Sequence, residues 1–236
     1  MLVPILWQDD IVEWPDRLRE LMIDPKKTAL VIVDVQNYGT FDDRVVENGL
    51  RLLIFFRERG LPVFFLRVGS MLPDASDVHI KRRITVGRHV GDSEEFRCPK
   101  GCWGFDIRPP LSPLPTEMVI DKNSSGAFNS TSTDHYLRNM GVQNLVITGW
   151  STHACVQNTA RDAADIGYNV ILAEDACACS EGNDNAHRRT IQMFTRIYGS
   201  VKSTDQTLEV LETAFAHQSP NGLLIDTPAL HPTITS

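Results

Sequence analysis

The chain has 236 residues and a formal net charge of −7, which is enough length for one large domain with a well-filled core. The net negative charge and the absence of an extended stripe of Lys and Arg in the sequence argue against a nucleic-acid or anionic-membrane partner, because phosphate binding needs concentrated positive charge. No apolar run is long enough to span a membrane, and acids interrupt the N-terminal MLVPILWQDDIVEW too early for a signal peptide. We therefore expect a cytoplasmic protein with a small-molecule substrate. Its five cysteines are an odd number and do not indicate a disulfide framework.

Apolar runs of strand length recur along the chain. They are TALVIVDV at 28–35, PVFFLRV at 62–68, EMVIDK at 117–122, NLVITGW at 144–150 and NVILAED at 169–175. None alternates polar with apolar residues, which is typical of strands buried on both faces of a parallel sheet.

Helical patterns lie between these strands. Three of them end on glycine, a C-cap signal: RVVENGLRLLIFFRERG, STDHYLRNMG and STHACVQNTARDAADIG. Two more candidates, 183–198 and 204–217, follow the fifth strand. The alternation of strands and helices predicts a doubly wound, three-layer α/β/α domain with a mostly parallel sheet.

The predicted domain covers residues 28–217. We interpret residues 1–27 as an N-terminal extension and 218–236 as a Pro-rich extended tail. Within the domain, segment 69–116 carries many Gly, Pro and charged residues and little periodicity. So long an irregular stretch usually covers a site or an interface.

Three chemically reactive side chains are predicted to meet at one edge of the sheet. Asp34 closes the first strand, Lys122 closes the third, and Cys155 follows the fourth near the start of a helix. The carboxyl ends of parallel strands form the edge at which such folds bind ligands. A cysteine in the first turn of a helix, with a lysine nearby, favours the nucleophilic thiolate. Asp34, which burial would otherwise disfavour, gains a cationic partner and can transfer a proton.

Several motifs resemble those of the isochorismatase-like cysteine hydrolases, over about Thr28 to Leu211. They are VIVDVQN, GCWGFDIRPPLSPLP, VIDKNSSGAFNSTSTDHYLRNMGV and LVITGWSTHACVQNTARDA. The resemblance implies that Asp34, Lys122 and Cys155 form a catalytic triad that hydrolyses amide or ureide C–N bonds through a covalent acyl-cysteine. It also implies a cis peptide at Trp150-Ser151, with the N–H groups of Ser151 and Cys155 forming an oxyanion hole.

The resemblance is specific enough to narrow the reaction. The resemblance is to branches without the histidine-rich metal site of the nicotinamidases, so we expect neither a metal nor another cofactor. Members that cleave the vinyl ether of isochorismate replace the cysteine, which this chain keeps. The segments KRRITVGRHVGDSEEF and GCWGFDI are most similar to the branch acting on biuret, carbamoylsarcosine and other small ureides.

Residues near these motifs are candidates for contacting the substrate: Gln36, Phe41, Trp103, Phe128 and Trp150. The four aromatic residues among them fit a core or interface equally well. Any of four arginines could hold a substrate carboxylate: Arg67, Arg82, Arg83 and Arg88. Apolar segments at both chain ends favour a homo-oligomer, with a tetramer preferred over a dimer.

Other interpretations of the same residues remain open. His153 could pair with Cys155 as a base, and two cysteine pairs, Cys98 with Cys102 and Cys177 with Cys179, could be interpreted as a zinc site, although their spacing departs from C-x2-C. The triad could act on a thioester, a lactam or an ether, or the chain could be a catalytically idle binding module.

Overall fold

Six parallel strands form one sheet in the computed structural model, which describes residues 23–39, 42–80, 99–180 and 182–217. The strands are β1 (Thr28–Val33), β2 (Val63–Val68), β3 (Met118–Lys122), β4 (Asn144–Trp150), β5 (Asn169–Ala178) and β6 (Ser200–Lys202). Their order across the sheet is β3-β2-β1-β4-β5-β6, and every adjacent pair is parallel. The doubly wound fold predicted from the sequence is confirmed.

Among the described residues, five α-helices cover the two faces of the sheet. They are α1 (Asp43–Glu58), α2 (Thr133–Asn139), α3 (Gln157–Asp165), α4 (Asp184–Ile197) and α5 (Thr204–Ala216). Residues of β1 alternate between two cores, because successive side chains of a strand point to opposite faces. Leu30 and Ile32 pack with α1 and α5, whereas Val31 and Val33 pack with α2, α3 and α4.

The central strands β1 and β4 are direct neighbours, but the helices that follow them lie on opposite faces of the sheet. In open α/β sheets, such a change of direction leaves a crevice beyond the carboxyl ends of the two strands, and ligands bind there. The topology therefore predicts that the site residues at these strand ends lie around such a crevice.

Gly149 allows β4 to approach β1 closely at this crevice. Its φ is +126°, and a Cβ atom at this position would lie 2.0 Å from the carbonyl oxygen of Val33. Both the backbone conformation and the space exclude any larger residue. The pairing register between β4 and its other neighbour, β5, shifts nearby, between Ile147 and Gly149.

Some predicted boundaries differ from the structure. β1 ends at Val33 rather than at 35, β5 continues to Ala178 rather than ending at 175, and the three-residue β6 was not predicted. Segment 69–116, where it is described, contains two short 3-10 turns at Trp103–Phe105 and Pro109–Leu111. The proposed tail at 218–236 and most of the proposed extension at 1–27 lie outside the described residues. Within the described part of the chain, no helix is both long and apolar enough to cross a membrane.

Candidate active site

Asp34 sits immediately after β1 in a backbone conformation that few residues adopt. Its φ is +52°, in the left-handed region that aspartate and asparagine tolerate better than most other residues with a side chain. Its N–H still donates to the carbonyl of Leu66 at 3.0 Å. The positive φ turns the chain out of the sheet at this point, and the carboxylate is completely buried.

Lys122, the last residue of β3, reaches past the end of β2 to Asp34. Its Nζ donates to Asp34 Oδ2 at 2.7 Å and to the carbonyl oxygens of Ser124 and Ser125 at 3.1 and 3.0 Å. These three acceptors match the three protons of an ammonium group. Neither side chain of the ion pair has any exposed surface. The ammonium is therefore fully satisfied although it is buried.

The carboxylate of Asp34 is satisfied on one side only. Its second oxygen, Oδ1, is buried, and no hydrogen-bond partner for it is found among the described residues. Buried acceptors are nearly always paired in proteins. Asp34 thus keeps a charged oxygen that can accept a proton or a hydrogen bond in the crevice.

Cys155 lies in a short π-helical turn, Thr152–Val156, that joins β4 to α3. The carbonyl of Ser151 accepts hydrogen bonds from the N–H groups of Ala154 and Val156, which flank the cysteine. Only 7% of Cys155 is exposed. Because the turn leads directly into α3, Cys155 lies at the N-terminal end of that helix.

The peptide bond between Trp150 and Ser151 is cis, as the family resemblance implies. The fourth strand thus ends at a turn whose backbone carries the two N–H groups predicted to form the oxyanion hole, those of Ser151 and Cys155. This role stays a prediction.

Two histidines hold the turn from outside. Nδ1 of His153 lies 3.0 Å from Ser151 Oγ and 2.8 Å from Cys179 Sγ. His187, on α4, contacts the buried hydroxyl of Thr152 through Nδ1 at 2.9 Å. Burial lowers the pKa of His187. The His153 ring is thus directed toward Ser151 and Cys179, which favours a supporting role over the Cys155–His153 pair considered above.

Trp150 and Tyr38 form an aromatic pair at the crevice. Their ring centroids lie 5.7 Å apart in an edge-to-face arrangement, and both side chains are half-buried. Tyr38 was not predicted as a site residue, although its position four residues after Asp34 places it on the same connection. Together the two rings form an apolar surface close to the end of β4.

The other predicted aromatic contacts receive different outcomes. Phe128 is half-buried against the core, with its ring 5.8 Å from Tyr168, which favours the core interpretation. Trp103 is 73% exposed, and its carbonyl accepts a hydrogen bond from Asn37 Nδ2 at 2.9 Å. Phe41, which was also predicted to contact the substrate, lies outside the described residues.

The side chain of Gln36 is engaged within the protein. It has no exposed surface, and its amide bonds to backbone groups of Val68 and Phe105. These bonds favour a structural role for the side chain, and the predicted substrate contact stays a prediction.

Arg67 is likewise engaged within the protein. Its guanidinium donates to Asp121 at 2.7 Å and to Asp106 at 3.3 Å and lies over the ring of Phe105. These contacts leave it poorly suited to hold a substrate carboxylate. The candidates Arg82, Arg83 and Arg88 lie outside the described residues.

Within the part of the chain that the structure describes, the cysteines do not form a metal site. No cluster of three or more His, Cys, Asp or Glu that could hold a metal occurs among the described residues. Among the described residues, Cys102, Cys155, Cys177 and Cys179 form no disulfide, whereas Cys98 is not described. Burial raises the pKa of Cys177 to about 12, so this thiol stays neutral and unreactive.

Comparison with known proteins identifies the family. Residues 28–206 match the isochorismatase domain, and the chain belongs to this family of hydrolases. The match covers the sheet and all of the site residues described above.

Characterised and solved relatives resemble the chain over most of its length. It is 28% identical to ureidoacrylate amidohydrolase RutB from Pseudomonas syringae, over 82% of this chain and 87% of the relative. An isochorismatase family protein from Burkholderia thailandensis superposes with a TM-score of 0.68 at 28% identity, covering 80% of this chain and 97% of its own. N-carbamoylsarcosine amidase from Thermoplasma acidophilum gives a TM-score of 0.60 at 29% identity, covering 76% and 97%.

Proposed function

We propose that this protein is a cysteine amidohydrolase that cleaves a C–N bond of a small amide or ureide. One observation carries the proposal: the fully buried Asp34–Lys122 pair leaves one carboxylate oxygen unsatisfied, at the same sheet edge as a cysteine that begins a helix. A buried charge with spare acceptor capacity next to a nucleophile is typical of an acid–base site. Two of the relatives are named as an amidohydrolase and an amidase acting on ureido compounds.

The proposed reaction begins with proton transfer from the thiol of Cys155 to Asp34 Oδ1. The thiolate attacks the substrate carbonyl, and the N–H groups of Ser151 and Cys155 stabilise the resulting oxyanion. When the C–N bond breaks, Asp34 returns the proton to the leaving nitrogen, which departs as ammonia or an amine.

The second half of the reaction hydrolyses the acyl-cysteine. Asp34, ionised again, removes a proton from the attacking water and then returns it to the departing thiolate. Lys122 holds the carboxylate in place throughout, since all three of its donors are engaged. The proposed reaction needs no metal or organic cofactor.

The aromatic pair of Trp150 and Tyr38 is the part of the site proposed to select the substrate. An edge-to-face pair presents both a ring face and a ring edge, and a planar amide or ureide group can pack against such a surface. Trp150 remains a candidate substrate contact on this basis.

A screen for ammonia release tests the proposed function. The panel is biuret, carbamoyl amino acids, ureidoacrylate, nicotinamide and simple amides, with Cys155→Ala as the matched control. The proposal would be supported if the wild type releases ammonia and Cys155→Ala does not, and if Cys155 of the wild type carries a covalent adduct with the mass of the substrate's acyl group. Turnover of a thioester, lactam or ether without release of ammonia or amine would replace it with another hydrolytic reaction, and no turnover with an unreactive Cys155 would favour a binding module.

The assembly and location predicted from the sequence belong to the same proposal. We propose a cytoplasmic homo-oligomer, with a tetramer preferred. On α4, Met193 and Ile197 lie one turn apart and are 44% and 56% exposed, a pattern that an interface would cover. The free cysteines fit a reducing compartment. A monomer mass in light scattering at micromolar concentration would contradict the oligomer.

A further inference from the structure

The side chain of Gln36 joins the segment that carries Asp34 to β2, the strand that lies between β1 and the strand carrying Lys122. Its Oε1 accepts from the N–H of Val68 at 2.8 Å, and its Nε2 donates to the carbonyls of Val68 at 3.2 Å and Phe105 at 2.8 Å. One primary amide thus binds both backbone groups of Val68, as a neighbouring strand would. The residue is fully buried, so these bonds do not compete with water.

These hydrogen bonds lie just beyond the point where backbone pairing between β1 and β2 ends. The β1–β2 ladder stops after Asp34, whose positive φ turns the chain away from β2. Two residues later, Gln36 restores the connection to β2 through its side chain. It contacts β2 at Val68, the residue paired with Lys122 in the β2–β3 register. The next N–H along the chain, that of Gly69, donates to the carbonyl of Lys122 at 3.0 Å.

A closed circuit results from these contacts. It runs from Asp34 along the chain to Gln36, across to Val68, across again to Lys122, and through the 2.7 Å ion pair back to Asp34. The second amide donor extends the circuit to Phe105. An amide is the group this position requires, because it must donate and accept at once.

We propose that Gln36 is a positioning residue that fixes the Asp34 carboxylate against Lys122 and thereby sets the reactivity of Cys155. This inference rests on the proposed function, in which that carboxylate takes the proton of the thiol. Gln36 itself does not contact the reacting atoms. It acts through Val68 and the backbone of its own segment.

The test measures the rate of alkylation of Cys155 by iodoacetamide, followed by mass spectrometry from pH 5 to 9, which requires no knowledge of the substrate. In Gln36→Met the amide is lost while the volume is kept. We expect the rate at Cys155 to fall about tenfold to a hundredfold at neutral pH, the scale of a misplaced catalytic group, and the pH profile to move to higher pH.

A second variant keeps the test decisive if Gln36→Met folds poorly. Gln36→Glu keeps the length and the acceptor, but when ionised it cannot donate to the carbonyls of Val68 and Phe105. A protonated Glu can donate again. Its alkylation defect, measured relative to wild type, should therefore shrink as the pH falls, which a loss of stability alone would not produce.

Asn144→Leu is the matched control. Asn144 is another buried amide bound to the protein's own polar groups, with Nδ2 3.1 Å from the Asp24 carbonyl, but it lies at the opposite edge of the sheet. This variant should lose stability in urea yet keep the wild-type rate and pH profile at Cys155.

Two results would overturn the inference, and they are distinguishable. If wild-type Cys155 reacts no faster than Cys102, the proposed function fails and the inference fails with it. If wild-type Cys155 is reactive and the Gln36 variants match Asn144→Leu in rate and pH profile, the inference fails alone and the proposed function stands.

Discussion

Substituting Asp34 and Lys122 singly and together should show whether the two residues act as one unit. Lys122→Met removes the ammonium and keeps much of the volume, leaving a carboxylate with no exposed surface and no countercharge at 2.7 Å. Breaking a buried pair in this way costs about 3 to 5 kcal/mol of unfolding free energy. The variant also leaves the carbonyls of Ser124 and Ser125 without their shared donor.

Asp34→Asn should be less damaging to stability. Asparagine tolerates the positive φ at this position, and its amide oxygen can still accept from Lys122. The ammonium keeps its two carbonyl acceptors. The double variant should therefore be more stable than the two single losses predict, with a coupling of about 0.5 to 3 kcal/mol.

Catalysis should respond differently from stability. Each single variant removes or displaces the proton acceptor, so kcat/KM should fall at least about a hundredfold. The double variant should be no slower than the worse single variant, because residues that act as a unit fail together. Urea unfolding and ammonia release with the best substrate of the panel give the two halves of this double-mutant cycle.

An ion pair at the opposite edge of the sheet provides the control. Arg57 binds Glu117 through two hydrogen bonds of 2.7 and 2.8 Å, just before β3 begins. The Arg57→Met and Glu117→Gln cycle should change stability and leave kcat/KM unaltered. Rate losses at Asp34 and Lys122 that multiply as independent factors would refute the reasoning.

The remaining predictions address the nucleophile, metal dependence, the crevice and pH. Cys155→Ala and Cys155→Ser should abolish turnover in the ammonia assay with unchanged circular dichroism; near wild-type activity in the serine variant would remove thiol catalysis. EDTA should leave activity unchanged, and a loss restored by zinc would show that a metal is needed. Gly149→Ala should cost about 3 kcal/mol or more in urea unfolding, since its Cβ would lie 2.0 Å from Val33 O; a neutral effect would contradict the required close approach. Because burial lowers the pKa of His187 from 6.5, the unfolded chain protonates first and stability should fall as pH drops below about 6.5; His187→Gln should flatten this slope, and an identical slope would exclude His187 as its source.

The sheet could be predicted because its strands follow simple local rules. Each of the five predicted runs becomes a strand of the parallel sheet. The runs of β1, β2 and β4 are nearly continuous in apolar residues and almost wholly buried, as expected for strands covered on both faces, whereas the edge strand β3 is only half-buried. The sixth strand was not predicted because three residues are too few to show a pattern. The extension of β5 was not predicted because Glu174 and Asp175 suggested that the strand ends there.

Asp175 shows why such a boundary depends on distant partners. Its Oδ1 accepts from both the N–H and the hydroxyl of Thr204, each at 2.7 Å. The acid therefore belongs to the start of α5, 29 residues away in sequence, and the strand continues past it. Nothing in the local sequence records this contact.

The same distinction separates the predicted and unpredicted parts of the site. Asp34, Lys122 and Cys155 could be placed together because each lies at the carboxyl end of a strand or just beyond it, and parallel strands bring those ends to one edge. The structural role of Gln36 depends on a carbonyl 69 residues away, that of Phe105. The pairing of Tyr38 with Trp150 also joins residues far apart in sequence.

The opposite charges of Asp34 and Lys122 compensate each other, but the two residues differ in how completely their hydrogen-bonding groups are paired. Lys122 has an acceptor for each of its three protons, so its ammonium group is held in place. Asp34 keeps one buried oxygen for which the described residues supply no donor. A fold selected for stability alone would provide a donor there, since an unsatisfied buried acceptor is destabilising. The imbalance places the one unsatisfied acceptor of the pair on the residue that the proposed reaction needs as its proton carrier.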